Sequence, residues 1–193
     1  MQILLIDNYD SFTYNLVQLL YEAKPDVDLS IFSNDQKVSD LPKNIDKVLI
    51  SPGPGLPQES GNLMPLISKI IEMGLPMLGV CLGHQAIAMH FGASLKQLNH
   101  SSHGIRGACH ISQPSAEGIF EGFDNLFYCG RYHSWVVDSE HFPDCLTVSA
   151  IDNESNIMAI QHIDLPIWGV QFHPESYMTE NGLLLIKNWL TAP

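Results

Sequence analysis

Pro76-Met-Leu-Gly-Val-Cys81-Leu-Gly-His-Gln85 is the stretch from which the fold can be read. Residues 76–80 form a short apolar run, the pattern of a strand buried on both faces. Residues 83–91 read as a helix. Between them, Gly79-Val-Cys-Leu-Gly83 has the form Gly-x-nucleophile-x-Gly, a nucleophile elbow with Cys in the nucleophile's place. Such a turn is sharp and strained, so small residues must flank it. It leaves the cysteine at a helix start, where unpaired N–H groups and the macrodipole favour an anion. A thiol so placed loses its proton more easily, and the thiolate is the attacking form. The N–H of Leu82 can help to hold an oxyanion. An isolated free cysteine is most often a small buried hydrophobe. The strand–elbow–helix context instead makes Cys81 a candidate nucleophile, whereas Cys109, Cys129 and Cys145 lack it and are assigned to packing.

Toward the N-terminus, strand and helix alternate. Residues 2–6, 27–32 and 47–50 are further short strand-like runs. Residues 12–21 carry Phe12, Leu16, Leu19 and Leu20 at helical spacing, and residues 63–73 also read as a helix. That alternation predicts a parallel sheet with helices on both faces. Beyond residue 91 the character changes. Residues 127–129, 146–151, 157–162 and 167–172 read as short strands between turns, some of them antiparallel, and residues 182–190 as a closing helix. No repeat, low-complexity segment or Pro/Gly-rich linker divides the chain. Residues 1–193 are therefore expected to form a single domain, an α/β three-layer sandwich with a largely parallel mixed central sheet.

A cysteine nucleophile needs a base, and the base needs a third group to fix its tautomer. Gly169-Val-Gln-Phe-His173-Pro-Glu175-Ser offers both. Pro174 biases His173 toward an extended backbone. In an extended stretch, residues two apart face the same way, so Glu175 can accept a hydrogen bond from the His173 imidazole. Both this segment and Cys81 follow a strand's carboxyl end, the edge where active sites of open α/β sheets collect. His84 is a rival base, ranked second because it sits one turn into the helix and points away from a substrate above Cys81. Ser51-Pro-Gly-Pro-Gly55 follows the strand at residues 47–50. It reads either as a plain turn or, beside the elbow, as a loop in which Gly53 supplies a second oxyanion donor. Losing one such donor costs roughly 2.7–4 kcal/mol of transition-state stabilisation.

Composition narrows the partners. The 193 residues are 45% hydrophobic and 16% charged, sufficient for a real core. A net charge of −12 with nine scattered Lys and Arg argues against a nucleic-acid partner. The acidic surplus reads as a solvated surface. No stretch approaches the roughly 20 apolar residues of a membrane helix. The N-terminus lacks a basic region, so no membrane association and no signal peptide are expected, and the location is read as cytoplasmic. The four cysteines form no C-x-x-C pair, which fits reduced thiols. His100, His103 and His110 lack a compact ligand motif, so no metal is expected. No Gly-x-x-x-x-Gly-Lys-[Ser/Thr] loop is present, and no cofactor is expected.

Gly79-Val-Cys-Leu-Gly-His-Gln85, Phe172-His-Pro-Glu175 and Ser51-Pro-Gly-Pro-Gly55 together resemble the class I (Cys-His-Glu) glutamine amidotransferases. Ile6-Asp-Asn-Tyr-Asp-Ser-Phe-Thr-Tyr-Asn15 and Arg131-Tyr-His-Ser134 narrow the likeness to the small subunit shared by anthranilate synthase and aminodeoxychorismate (para-aminobenzoate) synthase. The resemblance runs from Gln2 to about Leu190. It implies the flavodoxin-like fold of that class and a set of roles. Cys81 would be the nucleophile, His173 the base and then the acid, and Glu175 the orienting carboxylate. Gly53 and Leu82 would supply oxyanion N–H groups. Pro54, Gly55, Gln85, Ser134 and Trp135 would line the site for L-glutamine. It also implies a chorismate-binding synthase subunit (component I) in a heteromeric complex, with the loop at residues 8–12 near the interface and ammonia channelled across it. Two departures stand out. His103-Gly-Ile-Arg106 replaces the family's His-Gly-Lys, which puts that lysine's role in doubt. Trp135 stands where Leu is frequent. The pathway stays open between anthranilate, aminodeoxychorismate and both. A stand-alone cysteine hydrolase is a remoter reading, disfavoured by Gln85 and the Arg131–Ser134 motif.

Overall fold

The computed structural model describes residues 1–112 and 118–193. In the first half the expected alternation is present as β1 (Gln2–Asp7), α1 (Thr13–Ala23), β2 (Asp28–Ser33), β3 (Lys47–Ile50), α2 (Leu63–Glu72), β4 (Met77–Val80) and α3 (Leu82–His90). The second half carries β5 (Leu95–Ile111), β6 (Leu126–Val137), β7 (Leu146–Ile151), β8 (Ile157–His162), β9 (Ile167–Val170) and α4 (Gly182–Thr191). All nine strands join one sheet in the order β2-β1-β3-β4-β9-β8-β7-β5-β6. β2, β1, β3, β4 and β9 run parallel, and the strands from β8 to β6 add on antiparallel. The sheet is thus mixed, parallel where the helices cross over, as the sequence pattern implies.

Two elements differ from expectation. β5 was not anticipated at all, and β6 extends the predicted residues 127–129 to twelve residues. The stretch Leu95-Lys-Gln-Leu-Asn-His-Ser-Ser-His-Gly-Ile-Arg lacks an alternating apolar pattern, so nothing in it signals a strand. Its pairing with β6 shifts register between Gln97 and Ser102 and again between His103 and Ile105. β5 touches β7 only at His110 and Ile111. The two strands form a ribbon whose ends at Cys109, Ile111, Phe127, Cys129 and Val137 join the core, while its middle, around the register shifts, is mostly polar.

Strand alternation sorts the core into two layers. Ile3, Leu5, Leu49, Leu78 and Val80 face α1 and α4, where Leu16, Leu20, Leu185, Ile186 and Trp189 meet them. Leu4, Ile6, Val48, Ile50 and Met77 face α2 and α3, against Leu63, Leu66, Ala86 and Ile87. Lys47 interrupts the apolar pattern at the start of β3, yet it is buried. Its ammonium donates to the carbonyls of Trp189 and Ala192, closing the C-terminal end of α4 where a cation complements the dipole. Burial depresses its pKa from the usual lysine value.

The chain turns from β1 to β2 on one side and then to β3 on the other. The crevice at such a switch point, outside the carboxyl ends of the strands, is where open α/β sheets bind ligands. Here those ends carry Asn8 after β1, Ser51–Gly55 after β3, Cys81 after β4 and Gln171–His173 after β9.

Candidate active site

Cys81 caps α3 with φ 52° and ψ −100°, a backbone conformation that non-glycine residues seldom adopt. The elbow can close only with glycines on both sides. A Cβ on Gly79 would lie 2.4 Å from the Gly83 carbonyl carbon, and one on Gly83 would lie 2.8 Å from the Ile50 carbonyl oxygen. The loop after β3 is clamped with equal firmness. Asn8 donates its backbone N–H to Ser51 Oγ and its side-chain amide to Ser51 O, both at 2.9 Å, and accepts from Asn34 Nδ2 at 3.0 Å. Gly53 lies so close to Asn8 and Leu82 that any Cβ there would sit about 2.5 Å from the Leu82 side chain.

Above Cys81 opens a cavity of about 460 Å³. Gly53, Pro54, Gly55, Leu82, Gln85, Ser134 and Trp135 all border it together with Cys81. Tyr132 and His133 of the Arg131–Ser134 motif also line it, and Leu56, Glu59, Gln97 and His103 complete the wall without having been anticipated from the sequence. The signal for Gln97 and His103 was hidden because it depended on the unanticipated β5–β6 pairing. Arg131, the first residue of the Arg131–Ser134 motif, stays outside this cavity. It binds Asp152 and the Ala108 carbonyl behind the ribbon. Arg106, in the stretch that departs from His-Gly-Lys, pairs with Glu180 and lies over the Tyr128 ring at 4.6 Å. It therefore joins the ribbon to the loop that precedes α4.

His173 and Glu175 lie buried behind the thiol. His173 Nδ1 and Glu175 Oε1 are 2.7 Å apart, with the two side chains 2% and 0% exposed. The imidazole is boxed by Tyr132 and Phe12, with ring centroids 4.8 and 5.5 Å away. Burial alone would depress its pKa. Hydrogen bonding and charge from Cys81 and Glu175 together outweigh that and raise it from 6.5 to about 10. Glu175 occupies Nδ1, so Nε2 is the ring nitrogen left for a second partner. Nε2 makes no closed, well-aligned hydrogen bond, the looser geometry common in a site without substrate. His84, the rival base, does not border the cavity. It is fully buried with its ring against Gly169, and burial drives its pKa to about 3, so it stays neutral near pH 7 and is a weak base. His133 is likewise held down to about 4 by burial and by the neighbouring positive charge.

A raised histidine pKa means that the cation is favoured in the folded state. This contribution to stability is complete below about pH 6.5 and is lost as pH rises through about 10. Removing the sulfur deletes one of the raising causes. In Cys81→Ala the His173 titration, followed by the imidazole proton signals in NMR, is expected to move to lower pH. An unmoved titration would show that the sulfur is too distant to act on the ring.

A strained thiol elbow, a buried imidazole–carboxylate pair and a cavity walled by backbone-rich loops at a switch point are the parts that a thiol acyl-transfer site requires. The chain belongs to the class-I glutamine amidotransferases, for the model of the family described as "Glutamine amidotransferase class-I" matches residues 4–192. It is 44% identical to the aminodeoxychorismate/anthranilate synthase component 2 of Bacillus subtilis, over 97% of this chain and 95% of that protein. It is 43% identical to the anthranilate synthase component 2 of Thermus thermophilus, over 100% of this chain and 93% of that one. Among solved structures, a protein of Thermoplasma acidophilum aligns with a TM-score of 0.86 at 28% identity, covering 98% of this chain and 92% of that chain. A glutamine amidotransferase of Thermotoga maritima aligns at 0.77 with 17% identity, over 91% and 76%, a likeness of fold alone.

Proposed function

We propose that this chain, acting as one domain, hydrolyses L-glutamine to glutamate and passes the ammonia to a chorismate-using synthase subunit, in the first place for anthranilate synthesis. The observation that carries this reading is the single cavity shared by Cys81, Gly53, Gly55, Gln85, Ser134 and Trp135, with the His173–Glu175 pair behind the sulfur.

Cys81 attacks the side-chain amide carbon as a thiolate. The oxyanion that forms is held by the N–H groups of Leu82, one of the unpaired donors of a helix start, and Gly53. His173 enters as the imidazolium and gives its proton to departing ammonia, leaving a glutamyl thioester and a neutral ring. The thioester no longer carries the anion that raises the ring's pKa. The same residue therefore releases its hold on protons at the step where it must take one from water. Hydroxide then adds to the thioester, glutamate leaves, and the thiolate–imidazolium pair returns. Glu175 holds Nδ1 throughout, which keeps Nε2 facing the sulfur. Both hydrogens of the Gln85 amide are engaged by Trp135 O and Gln171, so Gln85 offers glutamine an acceptor oxygen, suited to its ammonium rather than its carboxylate.

Tyr9, Tyr14 and Tyr177 are 60%, 73% and 90% exposed. Tyr177 and Phe12 border one groove beside Glu175. Exposed aromatics of this kind are enriched at protein interfaces, and this face supports docking of the synthase next to the loop at residues 8–12. The Bacillus subtilis relative is named for both synthases, which favours a second reading in which this chain serves aminodeoxychorismate synthesis as well. No described helix is long and apolar enough to cross a membrane, and a cytoplasmic place of action follows from the same proposal. Ammonia release from glutamine by the purified chain, with and without each synthase, tests it. Stimulation by one synthase assigns the pathway, and cleavage of γ-glutamyl peptides without glutamine hydrolysis would replace this reading by that of a stand-alone hydrolase.

A further inference from the structure

The mechanism above gives Gln171 only its contact with Gln85, yet it is completely buried and touches the nucleophile. It follows β9 directly, and its backbone N–H donates to Met158 O at 2.9 Å. Extended backbone alternates its side chains. Phe172 enters the core beneath the sheet, against Phe127, while Gln171 and His173 turn to the side of Cys81. Gln171 Nε2 lies 3.5 Å from Cys81 Sγ, and its Oε1 accepts from Gln85 Nε2 at 3.0 Å. Gln85 Nε2 also donates to the Trp135 carbonyl at 2.8 Å.

This chain of contacts fixes which end of each amide faces which partner. A backbone carbonyl can only accept, so the Gln85 atom facing Trp135 O is its nitrogen. That nitrogen's second hydrogen needs an acceptor, so the Gln171 atom facing it is oxygen. The remaining end of Gln171, aimed at the sulfur, is then a donor. A donor facing sulfur favours the anion over the thiol, because hydrogen bonds to a charged partner are stronger than those to a neutral one.

We propose that Gln171 is a positioning residue, donating its side-chain amide to the Cys81 sulfur and holding the nucleophile as an oriented anion opposite His173. The amide does not titrate, so it supports the thiolate both before and after His173 gives up its proton. Through Gln85 it also ties the sulfur to Trp135 in the cavity wall. This inference rests on the glutaminase reading for its effect on turnover, though not for its effect on the thiol.

The test uses the full chain with Gln171→Met, which keeps length and removes the donor, and Gln171→Glu, whose ionised carboxylate can only accept. Alkylation of Cys81 by iodoacetamide is followed against pH, with mass spectrometry reading the Cys81 peptide separately from the other cysteines. In Gln171→Met the alkylation profile should move to higher pH by about one unit or more, equal to a loss of about tenfold or more in rate on its rising limb. Glutamine turnover should lose a similar factor in kcat, with KM changed less than about twofold. Gln171→Glu should lose more at neutral pH and regain reactivity as pH falls and its carboxyl becomes a donor again. A packing role alone would move thermal stability and KM and leave the alkylation profile unshifted. An unshifted profile in Gln171→Met, or in Gln171→Glu where methionine prevents folding, overturns the proposal. A wild-type chain that releases no ammonia from glutamine, with or without synthase, would instead sink the functional reading, while the alkylation profiles would still decide the role of Gln171.

Discussion

Cys81→Ala is expected to abolish ammonia release from glutamine, by a factor on the order of 10⁶ in kcat where nucleophile and base act as a unit. Synthesis by the partner synthase from added ammonium salts is expected to persist. The division follows from the structure. The sulfur borders the cavity proposed for glutamine, near the buried His173–Glu175 pair, whereas the proposed chorismate reaction would take place on another subunit. The substitution is also structurally mild. Alanine is smaller than cysteine, and it inherits the strain of φ 52° without adding to it. Cys81→Gly would remove that strain, which costs roughly 1–3 kcal/mol for a non-glycine residue, and should therefore melt above Cys81→Ala while being equally inactive. Such a result would identify the elbow as a conformation kept for chemistry at the expense of stability. Equal loss of the glutamine- and ammonium-dependent activities would contradict the division of labour, and a Cys81→Ala chain retaining even one hundredth of the wild-type glutaminase rate would remove Cys81 as the nucleophile.

The elbow was legible because its constraints are local. Gly79, Cys81 and Gly83 lie within one turn of chain, and the collision that forbids a larger residue at Gly79 is with the start of the following helix, although the one at Gly83 is with Ile50 of the neighbouring strand β3. The same holds for the His173–Glu175 contact, which needs only the two-residue repeat of extended backbone. The alternating half of the sheet was legible for a related reason, since β1, β3 and β4 are buried on both faces along most of their length and are apolar there, the buried Lys47 at the start of β3 excepted. What could not be read was anything resting on β5. Its middle, from Gln97 to His103, is mostly polar, its register breaks twice, and no sustained apolar alternation marks its pairing with β6. The placement of Gln97 and His103 in the cavity wall was lost with it. Gln171 was missed differently. A lone Gln between apolar residues carries no periodic signal, and its contacts with Cys81 and Gln85 join segments far apart in the chain. The Arg131 motif shows the converse error, a charged residue credited to the ligand because it neighbours ligand-facing positions. Its side chain pairs instead with Asp152 and the Ala108 carbonyl, outside that cavity.

That position of Arg131 predicts the largest stability effect among the charged residues. Arg131 Nη1 lies 2.9 Å from Asp152 Oδ2, and the two side chains are 12% and 2% exposed. The guanidinium also donates to the Ala108 carbonyl and lies across Gly107, where a Cβ would come within 2.5 Å of Arg131 Cζ. Arg131→Ala therefore strands a buried carboxylate and opens a hole between β5 and β6. Removing one partner of a buried pair costs about 3–5 kcal/mol. The lower end is expected here, because Asp152 keeps three donors: the N–H groups of Glu154 and Asn156 at 2.9 and 2.8 Å, and Asn156 Nδ2 at 3.1 Å. Against the roughly 5–15 kcal/mol that holds a typical domain folded, such a loss is visible as a clear fall in the urea midpoint. Arg131→Lys keeps the charge but cannot span Asp152 and Ala108 O with one fork, and should fall between the two. Because Arg131 leads directly into Tyr132, His133 and Ser134, slackening of the ribbon should also raise KM for glutamine while the alkylation profile of Cys81 stays in place. If Arg131 instead held the ligand, Arg131→Ala would raise KM without moving the urea midpoint, and a shift of less than about 0.5 kcal/mol, the ordinary range for surface substitutions, would decide for that arrangement.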